Sequence, residues 1–112
     1  ALRWLAQTIP ELVAGRRLVV VFGIMADKDL PAALAELRQL RAANVVFTAA
    51  DSPRAAPPER LAELWGGGEV VASPEAAAWR GIELAGLDGV LLVCGSLYLV
   101  GAVRPMLVAA RR

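Results

Sequence analysis

The chain has no histidine, one cysteine, one lysine and little aromatic surface. Without imidazole, a zinc site built on histidine is excluded within these residues, and so is any nucleophile activated by a Ser-His or Cys-His pair. Cys94 alone cannot close an intramolecular disulfide, which fits a reducing cytoplasm. Hydrophobic residues make up 57% of the chain, much of it alanine, yet no stretch reaches the roughly 18 consecutive apolar residues of a membrane span. The motifs G-x-G-x-x-G and G-x-x-x-x-G-K-[ST] are both missing, so there is neither a dinucleotide fingerprint nor a P-loop. Twelve Lys and Arg against eleven Asp and Glu leave a formal net charge of +1. The basic residues are scattered, and nothing in their distribution calls for nucleic acid. Without a membrane-length apolar stretch the chain reads as soluble; it opens at Ala1 without an initiator methionine or a signal peptide, which reads as an excised domain.

At 112 residues the chain is near the modal domain size, so a single domain over 1–112 is expected. Four short apolar runs have the character of strands buried on both faces: Leu18 to Phe22, Asn44 to Thr48, Glu69 to Ala72 and Gly89 to Cys94. Helical patterns lie between them. The first covers Ala1 to Val13 and stops at Gly15; the second runs from Pro31 to Ala43 with Leu34, Leu37 and Leu40 in its stripe. Pro57-Pro58 opens a third, which Gly66-Gly67-Gly68 ends at Trp65; Ser73-Pro74 caps a fourth that closes at Gly86; a fifth follows Ser96. Trp4, Trp65 and Trp79 read as core or rim packing. The alternation predicts an α/β fold with a mostly parallel sheet of about four strands flanked by helices.

Ligands of such sheets bind beyond the carboxyl ends of the strands. Three loops qualify: Gly23 to Asp29, Ala49 to Pro57 and Gly95 to Tyr98. The first holds the one lysine, Lys28, between Asp27 and Asp29, where eleven other cationic positions are arginine. A compact ammonium there suits a phosphate or carboxylate, while Asp29 before Leu30-Pro31 is equally a helix N-cap. In the second loop Arg54 follows a rigid proline, which presents its fork to a carboxylate or leaves it as a surface charge. In the third, Ser96 and Tyr98 follow Gly95 as ligand hydroxyls or as a cap and a half-buried ring. Ser96 is no nucleophile elbow, because G-x-S-x-G is unmatched.

Four segments in this order carry a resemblance: Phe22-Gly23-Ile24-Met25-Ala26-Asp27-Lys28-Asp29, Thr48 with Ser52-Pro53-Arg54-Ala55, Pro58-Glu59-Arg60-Leu61-Ala62, and Gly95-Ser96-Leu97-Tyr98-Leu99-Val100-Gly101. Together they resemble the C-terminal domain of the folylpolyglutamate synthase and dihydrofolate synthase family, of the Mur ligase superfamily, over nearly the whole chain. The resemblance implies a Rossmann-like three-layer domain of a larger cytoplasmic enzyme of folate biosynthesis, one-carbon metabolism and polyglutamylation. Such ligases phosphorylate a folate or dihydropteroate carboxylate with ATP and Mg²⁺, and the amine of L-glutamate then attacks the acyl phosphate. A separate N-terminal domain carries the P-loop and metal ligands, so no metal site is expected in this chain.

By position, the resemblance puts Ser96 and Tyr98 near glutamate and gives Arg54 the place of the arginine in the superfamily's D-N-P-R motif, with Asp51-Ser52 standing for Asp-Asn. It gives Asp27, Lys28 and Asp29 the family's D-K-D, shaping the interdomain cleft. The family also carries a strand ending in D-x-A-H-N-P before the first helix; the chain begins after it, and that strand is expected inside the sheet. The implied function is a substrate-closing ligase domain, inactive alone. The alternative is a stand-alone α/β binding or interaction module.

Overall fold

Leu18 to Phe22 is apolar at every position, and a strand with no polar face needs cover on both sides. In the structure, a computed structural model that describes residues 17–49, 52–87 and 89–95, β1 (Leu18–Gly23) is buried along its whole length. It lies between β2 (Asn44–Phe47) and β4 (Val90–Gly95), with β3 (Glu69–Val70) beyond β2. Every pairing is parallel, and the arrangement is Rossmann-like. Between the strands run α1 (Leu30–Arg38), α2 (Pro58–Trp65) and α3 (Pro74–Ala85).

Alternation along β1 divides the core. Leu18, Val20 and Phe22 meet Leu34 and Leu37 of α1, Leu61 of α2, and Val45 and Phe47 of β2. On the other face Val21 and Val46 pack with Ala77 of α3. α3 approaches closely because its inner side is Ala77, Ala78 and Gly81. A Cβ on Gly81 would stand 2.6 Å from Leu91 Cδ1 and 2.9 Å from Val21 Cγ2.

The helix boundaries follow their cap residues. Asp29 Oδ1 accepts the Ala32 N–H at 3.1 Å and Ser73 Oγ accepts the Ala76 N–H at 3.3 Å, each with a proline in the first turn. Gly66, at φ 91°, ends α2 and donates its N–H to the Ala62 carbonyl. α1 stops at Arg38, short of the expected Ala43. There the N–H groups of Gln39, Leu40 and Arg41 each reach back three residues, and this tightening ends in Arg41 at φ 54°. Leu40 stays buried, and the reversal lets Ala43 N–H donate to Leu18 O at 2.8 Å, opening the β1–β2 pairing.

β3 is shorter than the expected 69–72. Contact continues past it without a regular ladder: Val71 N–H donates to Phe47 O at 3.0 Å, and buried Thr48 donates from Oγ1 to Ala72 O at 3.1 Å. Trp65 is the rim residue expected, edge-on to Phe47 and covered by the Arg38 guanidinium 4.2 Å from its ring centre. Trp79 is not: at 54% exposure it stands outside the core. Trp4 and the helices expected over 1–13 and after Ser96 lie outside the described residues. The described strands pair side by side from β3 to β4, so a further strand would join at an outer edge or insert between two strands that pair here. No described helix is long and apolar enough to cross a membrane.

Candidate functional site

The strand order β3-β2-β1-β4 reverses between β1 and β4, and the carboxyl end of that junction is where open α/β sheets bind ligands. The last register pair there is Gly23 with Gly95. Both strands therefore end without a Cβ, which allows close approach to the backbone.

The first loop leaves β1 at Ile24 and turns over Met25 to Lys28, closed by the Lys28 N–H on Met25 O at 3.2 Å. Asp27, Lys28 and Asp29 are all exposed. Asp29 is committed to capping α1, as its place before Leu30-Pro31 implied. The side chains of Asp27 and Lys28 have no partner among the described residues.

The second loop folds back onto the first. Met25 and Ala55 form an antiparallel bridge, flanked by Ala26 N–H to Arg54 O at 2.8 Å and Ala56 N–H to Ile24 O at 2.9 Å. Ala56 is fully buried in the α1/α2 core. Ser52 Oγ accepts the Arg54 N–H at 3.2 Å. The Arg54 side chain is exposed and unpartnered among the described residues. Arg54 thus sits beside the loop that carries Asp27 and Lys28. Ser96 and Tyr98 lie outside the described residues, although the end of β4 from which they follow is beside the end of β1.

Sequence reasoning missed the ladder that joins these loops. Its donors and acceptors are backbone groups of Ile24, Ala26, Arg54 and Ala56, and no side chain announces them. Ala56 is one of four alanines in the loop Ala49 to Pro57, so the sequence does not single it out.

Among the described residues no group of three or more His, Cys, Asp or Glu is placed to hold a metal ion. With Asp29 used as a cap, Asp27 is the first loop's one uncommitted carboxylate, a donor set that does not fit a resident ion. Among the described residues the strongest electrostatic coupling is elsewhere. Arg80 forks onto Glu69 at 2.7 and 2.9 Å and also reaches Glu83. Its hydrogen bonds hold the Glu69 carboxyl below the usual range. A cavity of about 310 Å³ bounded by Asn44, Trp65, Gly68, Glu69 and Leu84 lies at the same, amino-terminal end of the sheet, away from the carboxyl edge that binds ligands in such folds.

A family profile described as Mur ligase, glutamate ligase domain, matches residues 1–97. Among solved structures, E. coli FolC in complex with DHPP and ADP is 28% identical over 99% of this chain, with a TM-score of 0.86. The bifunctional folylpolyglutamate synthase/dihydrofolate synthase of Yersinia pestis, complexed with AMPPNP and Mn, is 26% identical over 95% of it, TM-score 0.85. The Mycobacterium tuberculosis folylpolyglutamate synthase complexed with ADP and AMPPCP is 26% identical over 90%, TM-score 0.70. The match spans 27%, 25% and 26% of those chains respectively, about a quarter of their length. No curated protein sequence matches the chain.

Proposed function

Because this chain belongs to the Mur ligase family as its glutamate ligase domain, we propose that it is the C-terminal domain of an ATP-dependent amide ligase of the cytoplasm. The ligase adds L-glutamate to the carboxylate of a folate or of dihydropteroate. An N-terminal domain of the same polypeptide holds ATP and Mg²⁺, which supply the phosphoryl transfer that makes the carboxylate an acyl phosphate. The glutamate amine, having lost a proton, attacks the carbonyl carbon; the C–N bond forms, the C–O bond to phosphate breaks, and phosphate leaves.

This chain's role is to hold the amino acid for that attack. The planar fork of Arg54 suits a carboxylate bidentately, and the Lys28 ammonium adds a compact positive charge from the neighbouring loop. Ser96 and Tyr98 supply neutral hydroxyls from the end of β4. Asp27 limits the positive field, and Asp29 fixes the loop by capping α1. The observation that carries this reading is the backbone bridge that joins the Lys28 loop, after β1, to the Arg54 loop, after β2, at the carboxyl edge of the sheet and next to the β1–β4 junction where strand order reverses.

Steady-state kinetics on the full-length ligase test it. Arg54→Ala removes a charge-assisted contact of roughly 1.5–3 kcal/mol, or about 10- to 150-fold in apparent glutamate affinity. Ser96→Ala has a smaller effect of the same kind, and the KM for ATP moves much less in both. Equal losses for ATP and glutamate, or none for either, would put the amino-acid site on other loops.

A further inference from the structure

We propose that the ladder between Ile24–Ala26 and Arg54–Ala56 makes the two cationic loops one preformed unit, in which the amide of Ala26 is the positioning group for Arg54. The proposal rests on the reading of this edge as an amino-acid site.

The two loops belong to different crossovers, and exposed loops ordinarily order independently of one another. Here each peptide group of Arg54 is held. Its carbonyl accepts the Ala26 N–H from the first loop at 2.8 Å, and its own N–H donates to Ser52 Oγ at 3.2 Å. The second rung, Ala56 N–H to Ile24 O at 2.9 Å, is anchored by a fully buried methyl that belongs to the same core cluster as Phe22, Phe47 and Leu61. On the other side, Ala26 is the second residue of the turn closed by Lys28 N–H on Met25 O. One rung therefore ties the backbone of Arg54 to the turn that presents Lys28, and displacing either loop displaces both charges. A ligand meeting two loop backbones already fixed relative to each other loses less of its binding energy to ordering them, with only the exposed Arg54 and Lys28 side chains left to order.

Ala26→Pro isolates the rung. Proline is favoured at the second position of a turn, and the preceding residue, Met25, is in a bridge, the extended state that a following proline prefers. The substitution removes the N–H donor and leaves the turn, whereas Ala26→Ser keeps the donor. In the full-length ligase, Ala26→Pro is expected to raise the glutamate KM about 2- to 12-fold, the range for one net hydrogen bond. The KM for ATP should stay unchanged, and Ala26→Ser should behave as wild type. In the unsubstituted full-length ligase, the Ala26 and Ala56 amides should exchange with solvent at least about tenfold more slowly than the Asp27 amide. Should Arg54→Ala raise the glutamate KM while Ala26→Pro leaves it alone, the positioning role is wrong and the amino-acid site stands. Should neither move it, both fall. Fast exchange of the Ala26 and Ala56 amides overturns the ladder whatever the kinetics, and that measurement does not depend on any variant folding.

Discussion

Replacing Gly68 by alanine tests how tightly the aromatic end of the core is closed. Gly68 joins α2 to β3 at φ 85°, and a Cβ there would lie 2.7 Å from Cε2 and 3.1 Å from Cδ2 of Phe47. That ring is fully buried. It is held edge-to-face by Phe22 at 6.2 Å and by Trp65 at 5.9 Å, so a shift of the ring away from Gly68 disturbs these contacts. The left-handed backbone costs a non-glycine residue about 1–2 kcal/mol. Overpacking adds about 1–3 kcal/mol, and the stiffer unfolded chain returns about 0.4–1 kcal/mol. The expected net loss is about 1–4.6 kcal/mol, or roughly 4–37 °C in Tm for a domain of this size. Gly66→Ala is the control: its φ is 91° but nothing lies within 4 Å of its Cβ, so it carries the backbone cost alone. Thermal and urea unfolding of both variants, followed by circular dichroism, separates the two contributions. If Gly68→Ala is no more destabilising than Gly66→Ala, the ring is not confined as argued.

Lys28→Met in the full-length ligase should lower turnover with little change in melting temperature, since Lys28 is an exposed loop residue with no described partner. A large fall in Tm with unaltered kinetics would make it a structural residue instead. The Arg80–Glu69 pair should show in the pH dependence of stability. Its hydrogen bonds lower the Glu69 pKa from the ordinary 4.5, so its contribution is complete above that value and fades as pH falls through the lowered one. Solvent screening keeps it small. Arg80→Met should therefore have a slightly lower Tm than wild type at pH 7, with the gap closing in acid; a gap independent of pH would contradict this. The isolated 112-residue chain should neither hydrolyse ATP nor incorporate glutamate, and ATP-dependent incorporation by it would sink the assignment.

Much of the fold is legible because single residues carry strong local physics. The short length, β-branched valines and unbroken apolarity of Leu18 to Phe22 favour an interior strand, Ser73-Pro74 starts α3 where its hydroxyl and fixed φ demand, and Gly66 stops α2 by turning left-handed. Periodicity is less able to say where a stripe stops being helical. Leu40 fits the stripe of α1 and is buried, yet it reaches the core from a turn after the helix has ended. Trp79 was misjudged because its spacing says nothing about which side of α3 faces the sheet; Ala77, Ala78 and Gly81 take that side. At the candidate site the charged residues were visible in the sequence and the contact between their loops was not, since alanine amides make it. The cap role of Asp29 was an open alternative that the Ala32 hydrogen bond now fills.

The central claim is that this domain serves an ATP-dependent transfer of glutamate to a pterin-linked carboxylate. The direct test incubates the full-length protein with ATP, Mg²⁺ and L-glutamate, with dihydropteroate or a tetrahydrofolate as acceptor, and follows the acceptor's mass together with ADP. The account predicts an acceptor longer by one glutamyl residue, with ADP formed one for one and no product when glutamate is omitted. ADP release without glutamyl transfer to either acceptor, or a preference for a different amino acid, would contradict it.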